Sequence, residues 1–213
     1  MDVYEAISRR KTIRDFTQEE INIEIVKKLL DAGLKAPSHD HLREWHFVIV
    51  QDRSKRRELI EQTIKPRSRK EATDIIDSWG MTDETQREMY VDAIPKQFSM
   101  LLNAGCLIVP CFRQTTPLLQ PENLSDLNAF AAMWCCIENI LVAAAAEGIF
   151  GVTRIPSARE IETIKRIFGV PQNYEIPCYV ALGYPQESAA RAEQIEVSVD
   201  ERMHVNAWQS GAV

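Results

Sequence analysis

The chain has 213 residues, 45% of them hydrophobic and 26% charged, which is enough for one sizeable core. A formal charge of -6 and a sequence pI near 5.3 argue against broad nucleic-acid or anionic-membrane binding, because both need a basic face.

Taken in chain order, residues 3–8 read as a short helix leading into "RRKTIRDF", where Arg9, Arg10, Lys11 and Arg14 crowd together. Thr17 and Glu20 match a capping box, so a helix is expected from Thr17, carried by Ile21, Ile25, Leu29 and Leu30 and stopped at Pro37. Residues 47–50 form a β-rich run, and residues 54–64 a charged helix. Residues 65–85 are polar and weakly patterned, a surface excursion with room for a short helix at 71–78. Residues 88–102 are helical but interrupted by Pro95.

"CLIVPCF", residues 106–112, reads as a buried strand, and residues 123–148 as a long central helix closed by Gly148. Although apolar, that helix contains Glu138, Asn139 and Glu147, which suits a core helix and not a membrane span. A strand at 150–155, a helix at 158–168 capped by Ser157 with Glu160, and a strand at 176–182 follow. From Gly183 onward no period is strong, so residues 186–213 read as a tail that packs on something else. No Gly-, Ser- or Pro-rich linker divides the chain, and residues 1–213 read as one α+β domain.

Asp2, Glu5 and the arginines interrupt any apolar run that could serve as a secretory leader. Cys106, Cys111, Cys135, Cys136 and Cys178 are odd in number, form no CxxC pair and lie in apolar surroundings. Reduced core thiols and a cytoplasmic location are the expectation.

Arg10, Lys11 and Thr12 supply guanidinium, ammonium and hydroxyl donors within three residues, the set that a phosphate dianion needs. On these residues alone a solvated helix end is the favoured reading, with phosphate capture the alternative. His39, His41 and His46 invite a metal, yet His39 and His41 point to opposite faces of an extended segment and no carboxylate or thiol completes a set. No metal site is expected. Trp134, Cys135 and Cys136 fall mid-helix and read as core or interface.

Two further segments stand in order after "RKTIRDF": "APSHDHLREWHFVIV" and "IENILVAAAAEGIFG", with Gly169, Val170, Pro171 and Gly183, Tyr184, Pro185 near the end. As an ordered set spanning residues 4–185, they resemble the nitroreductase family of FMN-dependent oxidoreductases. The resemblance implies a three-layer α/β/α sandwich with a central, mainly antiparallel sheet and long helices. It also implies an obligate homodimer with FMN at the subunit interface and the tail packed on the partner.

Position by position, the resemblance gives Arg10, Lys11 and Thr12 the FMN phosphate and ribityl chain. It gives Arg14 the side of the ring where reduction gathers negative charge. Pro37, Ser38, His39 and His41 match a loop that touches the flavin of the partner subunit. Residues 154–157 match the loop beside the isoalloxazine ring, whose backbone donates to N5 from Ile155 or Ser157, since Pro156 has no N–H. Arg191 matches a second phosphate-binding cation. The family's Asn, Gln and Pro are replaced by His41, Arg43 and Glu44.

The implied activity passes hydride from NAD(P)H through flavin N5 to a small electron acceptor, such as a nitroaromatic, a quinone or a halogenated aromatic. It would run by a ping-pong scheme that needs no side-chain acid or base. A flavin-binding or storage protein on the same fold is the alternative. "SAREIETIKRIFGVP" has a helix-turn-helix look but no clear recognition helix, and the net charge opposes DNA binding.

Overall fold

The computed structural model describes residues 1–190 and 196–208. Helix α1 (Val3–Arg9) starts where the Asp2 carboxylate accepts the Glu5 N–H at 2.9 Å. Helix α2 (Ile23–Leu34) is capped by Asn22, which accepts from Glu24 N–H at 2.9 Å. The capping box expected at Thr17 does not form: Thr17 Oγ1 closes only a local turn with the Glu19 N–H. The next residue, Gln18, takes a left-handed backbone (φ 67°) that no helix start accommodates.

A single-turn 3-10 segment at His39–His41 leads to β1 (Trp45–Val50) and α3 (Arg53–Thr63). The excursion is a helical hairpin, α4 (Arg69–Ser78) against α5 (Glu84–Leu102). It has a small core of its own in Ala72, Ile76 and Ile94. Helix α5 runs unbroken through Pro95, contrary to the expected interruption. Burial of Ala93, Ile94, Met100 and Leu101 on both sides of the proline outweighs the ~3 kcal/mol it costs.

Strand β2 (Cys106–Arg113) precedes a 3-10 turn at Leu124–Leu127, which feeds α6 (Asn128–Ala146). Then come β3 (Phe150–Arg154), α7 (Ala158–Phe168), the two-residue β4 (Tyr174–Glu175), which the sequence did not suggest, and β5 (Tyr179–Gly183). The sheet is antiparallel in the order β1-β2-β5-β3, with β4 beside β2.

Period-2 alternation makes the layers. Cys106, Ile108 and Phe112 of β2 and Val180 and Leu182 of β5 join the core formed with α2 and α6. Leu107, Val109, Cys111, Tyr179 and Ala181 join the opposite core, with Leu59 and Ile60 of α3, Met100 and Leu101 of α5 and Ile164 of α7. This is the expected three-layer α/β/α arrangement. Four of the five cysteines are buried, whereas Cys135 is exposed, because residue 135 falls on the outer side of α6.

The segment Leu124–Ala146 is long and apolar enough to cross a membrane by length and composition; here it packs on α2 and one face of the sheet. One buried cation braces the opposite layer. Arg56, 1% exposed, donates from Nε and Nη2 to the Val50 carbonyl at 3.1 and 2.7 Å, and from Nη1 to the carbonyls of Leu102 and Ala104. It thereby ties together the chain ends of β1 and α5 and the entry to β2.

Candidate functional site

After α1 the chain extends and lies against β3. Thr12 forms a parallel bridge with Gly151, and the Ile13 N–H donates to the Gly151 carbonyl at 3.2 Å. Ile13 and Phe16 are the anchors, at 2% and 1% exposure. Gly151 is required there: a Cβ would sit 2.6 Å from Leu182 Cδ2 and 2.9 Å from the Ala181 carbonyl oxygen.

This close approach opens a cavity of about 230 Å³ between Arg10, Lys11 and Thr12 on one wall and Trp134, Glu138 and Leu141 of α6 on the other, floored by Phe150 to Thr153. Arg10 Nε lies 3.2 Å from Glu138 Oε1, so half of the cation pair is balanced; Lys11 has no ion pair among the described residues. Arg9 lines a neighbouring cavity of about 360 Å³ with Ser8, Lys11 and Phe150.

Arg14 does not line either cavity. It is half-buried and faces α5, where desolvation lowers its pKa against the raising influence of Asp92 and Asp15. Both carboxylates are already engaged by Lys96 Nζ at 2.7 Å, and Arg14 has no hydrogen bond or ion pair among the described residues. Asp15 and Asp92 therefore act on the Arg14 guanidinium through space, their direct contacts being made with Lys96.

A third cavity, of about 530 Å³, is mainly apolar and lies at the other end of α6. Phe130, Ile155, Pro156, Ile161 and Ile176 line it, with Lys165, 5% exposed, among its few polar groups. Phe130 and Trp134, one α6 turn apart, meet T-shaped at 6.2 Å between centroids, and each lines one of the two α6 cavities. Sequence reasoning missed this cavity because residues 117–120 and Phe130 meet α7 only in the folded chain.

Pro37, Ser38, His39 and His41 line none of these cavities within the chain. They sit on a turn in which Asp40, His41 and Arg43 all hold positive φ (46°, 55° and 50°) without a glycine, a strained backbone near the end of α2. Glu44, at a position where the sequence departs from the family pattern, accepts from Arg113 Nη1 at 2.6 Å and is spent on the sheet edge. His46 stacks edge-on with Tyr174 at 5.3 Å. Arg191 lies outside the described residues. Among the described residues, no three His, Cys, Asp or Glu side chains cluster to hold a metal.

Ile155, Pro156 and Ser157 connect β3 to α7. Ser157 caps α7 as the sequence indicated, but the loop carries a further constraint. Arg154 Nη1 and Nη2 grip both oxygens of Glu160 at 3.1 and 2.8 Å, and Arg154 Nε donates to Gln97 at 3.1 Å. The capping-box spacing was readable in "SARE"; the arginine that completes it was not, since it comes from the preceding strand.

The three-layer fold thus carries a cationic cavity toward one end of its central helix and a mainly apolar one toward the other. The Nitroreductase family profile matches residues 7–184, and the chain belongs to that family. A protein of Methanothermobacter thermautotrophicus, provisionally named an NADH dehydrogenase/NAD(P)H nitroreductase, is 26% identical over 98% of this chain and 88% of its own length. Among solved structures, an iodotyrosine deiodinase bound to FMN and 3-iodo-L-tyrosine superposes with a TM-score of 0.71 at 17% identity, covering 97% of this chain and 100% of that one. The NADPH:FMN oxidoreductase of Vibrio harveyi, complexed with NAD+, superposes with a TM-score of 0.66 at 20% identity, covering 98% of this chain and 78% of that one. At these identities the structural likeness is one of fold.

Proposed function

We propose that the protein is an FMN-dependent oxidoreductase that draws reducing equivalents from NADH or NADPH and delivers them to a small electron acceptor. The observation that carries this reading is the pair of α6 cavities, one lined by Trp134 and the other by Phe130, with donors for an anion in the first and an apolar lining in the second. A phosphorylated cofactor with a flat apolar ring needs both, and the residues present fit it. The FMN-bound and FMN-named relatives support the same choice.

Bound FMN would supply hydride acceptance and donation at its ring. Arg10, Lys11 and Thr12 would hold the phosphate, Lys11 being free to do so and Arg10 being steadied by Glu138.

We also propose a homodimer. The turn that carries Pro37, Ser38, His39 and His41 lines none of the cavities described above, so it would serve the partner's site. Helix α1, packed on α6, leaves Tyr4 and Ile7 81% and 53% exposed, an apolar surface for a second copy.

Anaerobic titration of the FMN-loaded protein with NADH and with NADPH is the test. Bleaching of the flavin absorbance is expected with at least one nicotinamide, and Arg10→Ala is expected to lose FMN. Yellow protein that neither nicotinamide bleaches would instead be a flavin-binding protein, and protein that takes up no FMN would overturn both readings.

A further inference from the structure

The loop between β3 and α7 has three backbone nitrogens, and only one is left to donate. Pro156 has no N–H. The Ser157 N–H is taken by Glu160 Oε2 at 2.5 Å. The Ile155 N–H has no acceptor among the described hydrogen bonds, and Ile155 is 70% exposed on the apolar cavity that it lines.

Glu160 does more than an ordinary capping residue. The capping boxes Ser68–Glu71 and Asn123–Asp126 use their carboxylates on local groups alone, and no arginine pairs with either acid. Glu160 is instead 7% exposed, and both of its oxygens are held by Arg154. Arg154 is anchored in turn by Gln97 and lies 5.8 Å from the centre of the Tyr179 ring. The residue before the loop and the first turn after it are therefore joined by two parallel charge-assisted hydrogen bonds in a buried setting, the geometry that best fixes a backbone.

We propose that Glu160 is a positioning residue of the site. By holding Arg154 and consuming the Ser157 N–H, it leaves the Ile155 N–H as the loop's one donor and fixes it toward the cavity. This rests on the flavin reading, in which that N–H meets ring nitrogen N5.

The test is nitrogen-15 NMR of the intact protein loaded with FMN labelled at N5, with FMN affinity measured in parallel by fluorescence quenching. The wild type and Glu160→Gln, which keeps an acceptor for Ser157, are expected to show one hydrogen-bonded N5 resonance. Ile155→Pro, which deletes the donor but not the phosphate contacts, is expected to retain FMN about tenfold more weakly, with N5 at its unbonded position. Glu160→Ala is expected to broaden or shift that resonance while FMN stays bound. A hydrogen-bonded N5 that persists in Ile155→Pro, or is unchanged in Glu160→Ala, overturns the proposal and leaves the flavin reading standing. Failure of the wild type to take up FMN overturns that reading and the proposal with it.

Discussion

Thr12 and Gly151 lie side by side in a single parallel bridge, and that contact brings the cations of the N-terminal segment to the mouth of the α6 cavity. Because a Cβ on residue 151 would meet Leu182 and the Ala181 carbonyl, Gly151→Ala is expected to lower stability by about 1–3 kcal/mol. Gly151→Val should cost more and weaken FMN binding as well, since the bridge must open. Denaturant unfolding alongside flavin titration checks both effects.

Arg56 offers a contrasting case, structural and remote from the cavities. Replacing it with Met leaves the Val50 and Ala104 carbonyls buried without their donor, and a loss of about 1–3 kcal/mol for each is expected. Arg56→Lys cannot span the same carbonyls and should recover only part of it. Protein that remains folded should keep its FMN affinity, which separates this variant from Arg10→Ala.

The buried acids set an alkaline limit. Burial pushes the Cys106, Cys111 and Cys136 thiols from 9.0 to about 12 and the Tyr179 hydroxyl from 10.0 to about 12, and it drives Cys178 upward too. Above pH 9 the unfolded chain releases these protons while the folded chain keeps them, so stability is intact below that pH and falls as pH rises toward 12. Each thiol should cost about 1.4 kcal/mol per pH unit in that window. Unfolding midpoints measured from pH 8 to 11 should decline steadily, and Cys111→Ala should flatten the decline; a level profile would contradict the assignment.

If a second copy covers the outer face of α1, Tyr4→Asp combined with Ile7→Asp should yield a monomer by light scattering. FMN affinity should drop with it, because the turn at 37–41 would no longer reach the neighbouring site. A double variant that stays dimeric would move the interface elsewhere.

Much of this arrangement was legible in the sequence wherever the information is local. The Ser157–Glu160 cap, the buried run of β2 and the reach of α6 all follow from spacing within one turn or one strand. Thr17 misled because the correct residue types were present while Gln18 took a left-handed backbone. Pro95 misled because tertiary burial outweighs a propensity, and β4 is too short to have a period. Arg10, Lys11 and Thr12, adjacent in the chain, line one cavity together. The Arg154–Glu160 grip, the Lys165 chamber and the isolation of Arg14 depend on elements far apart in the chain, and no pattern along it encodes them.

The sheet order has one further consequence, for solubility. The N-terminal segment closes the β3 side through Thr12, but among the described residues no strand lies outside β1. Trp45 to Val50, reading WHFVIV, therefore presents an unpaired row of backbone donors and acceptors on an apolar strand, the kind of edge that templates aggregation unless something covers it. We propose the partner's tail as that cover. A chain cut after residue 195 should bind thioflavin T and precipitate on gentle warming, while the full chain stays clear; equal clarity of the two would show that the edge is guarded without the tail.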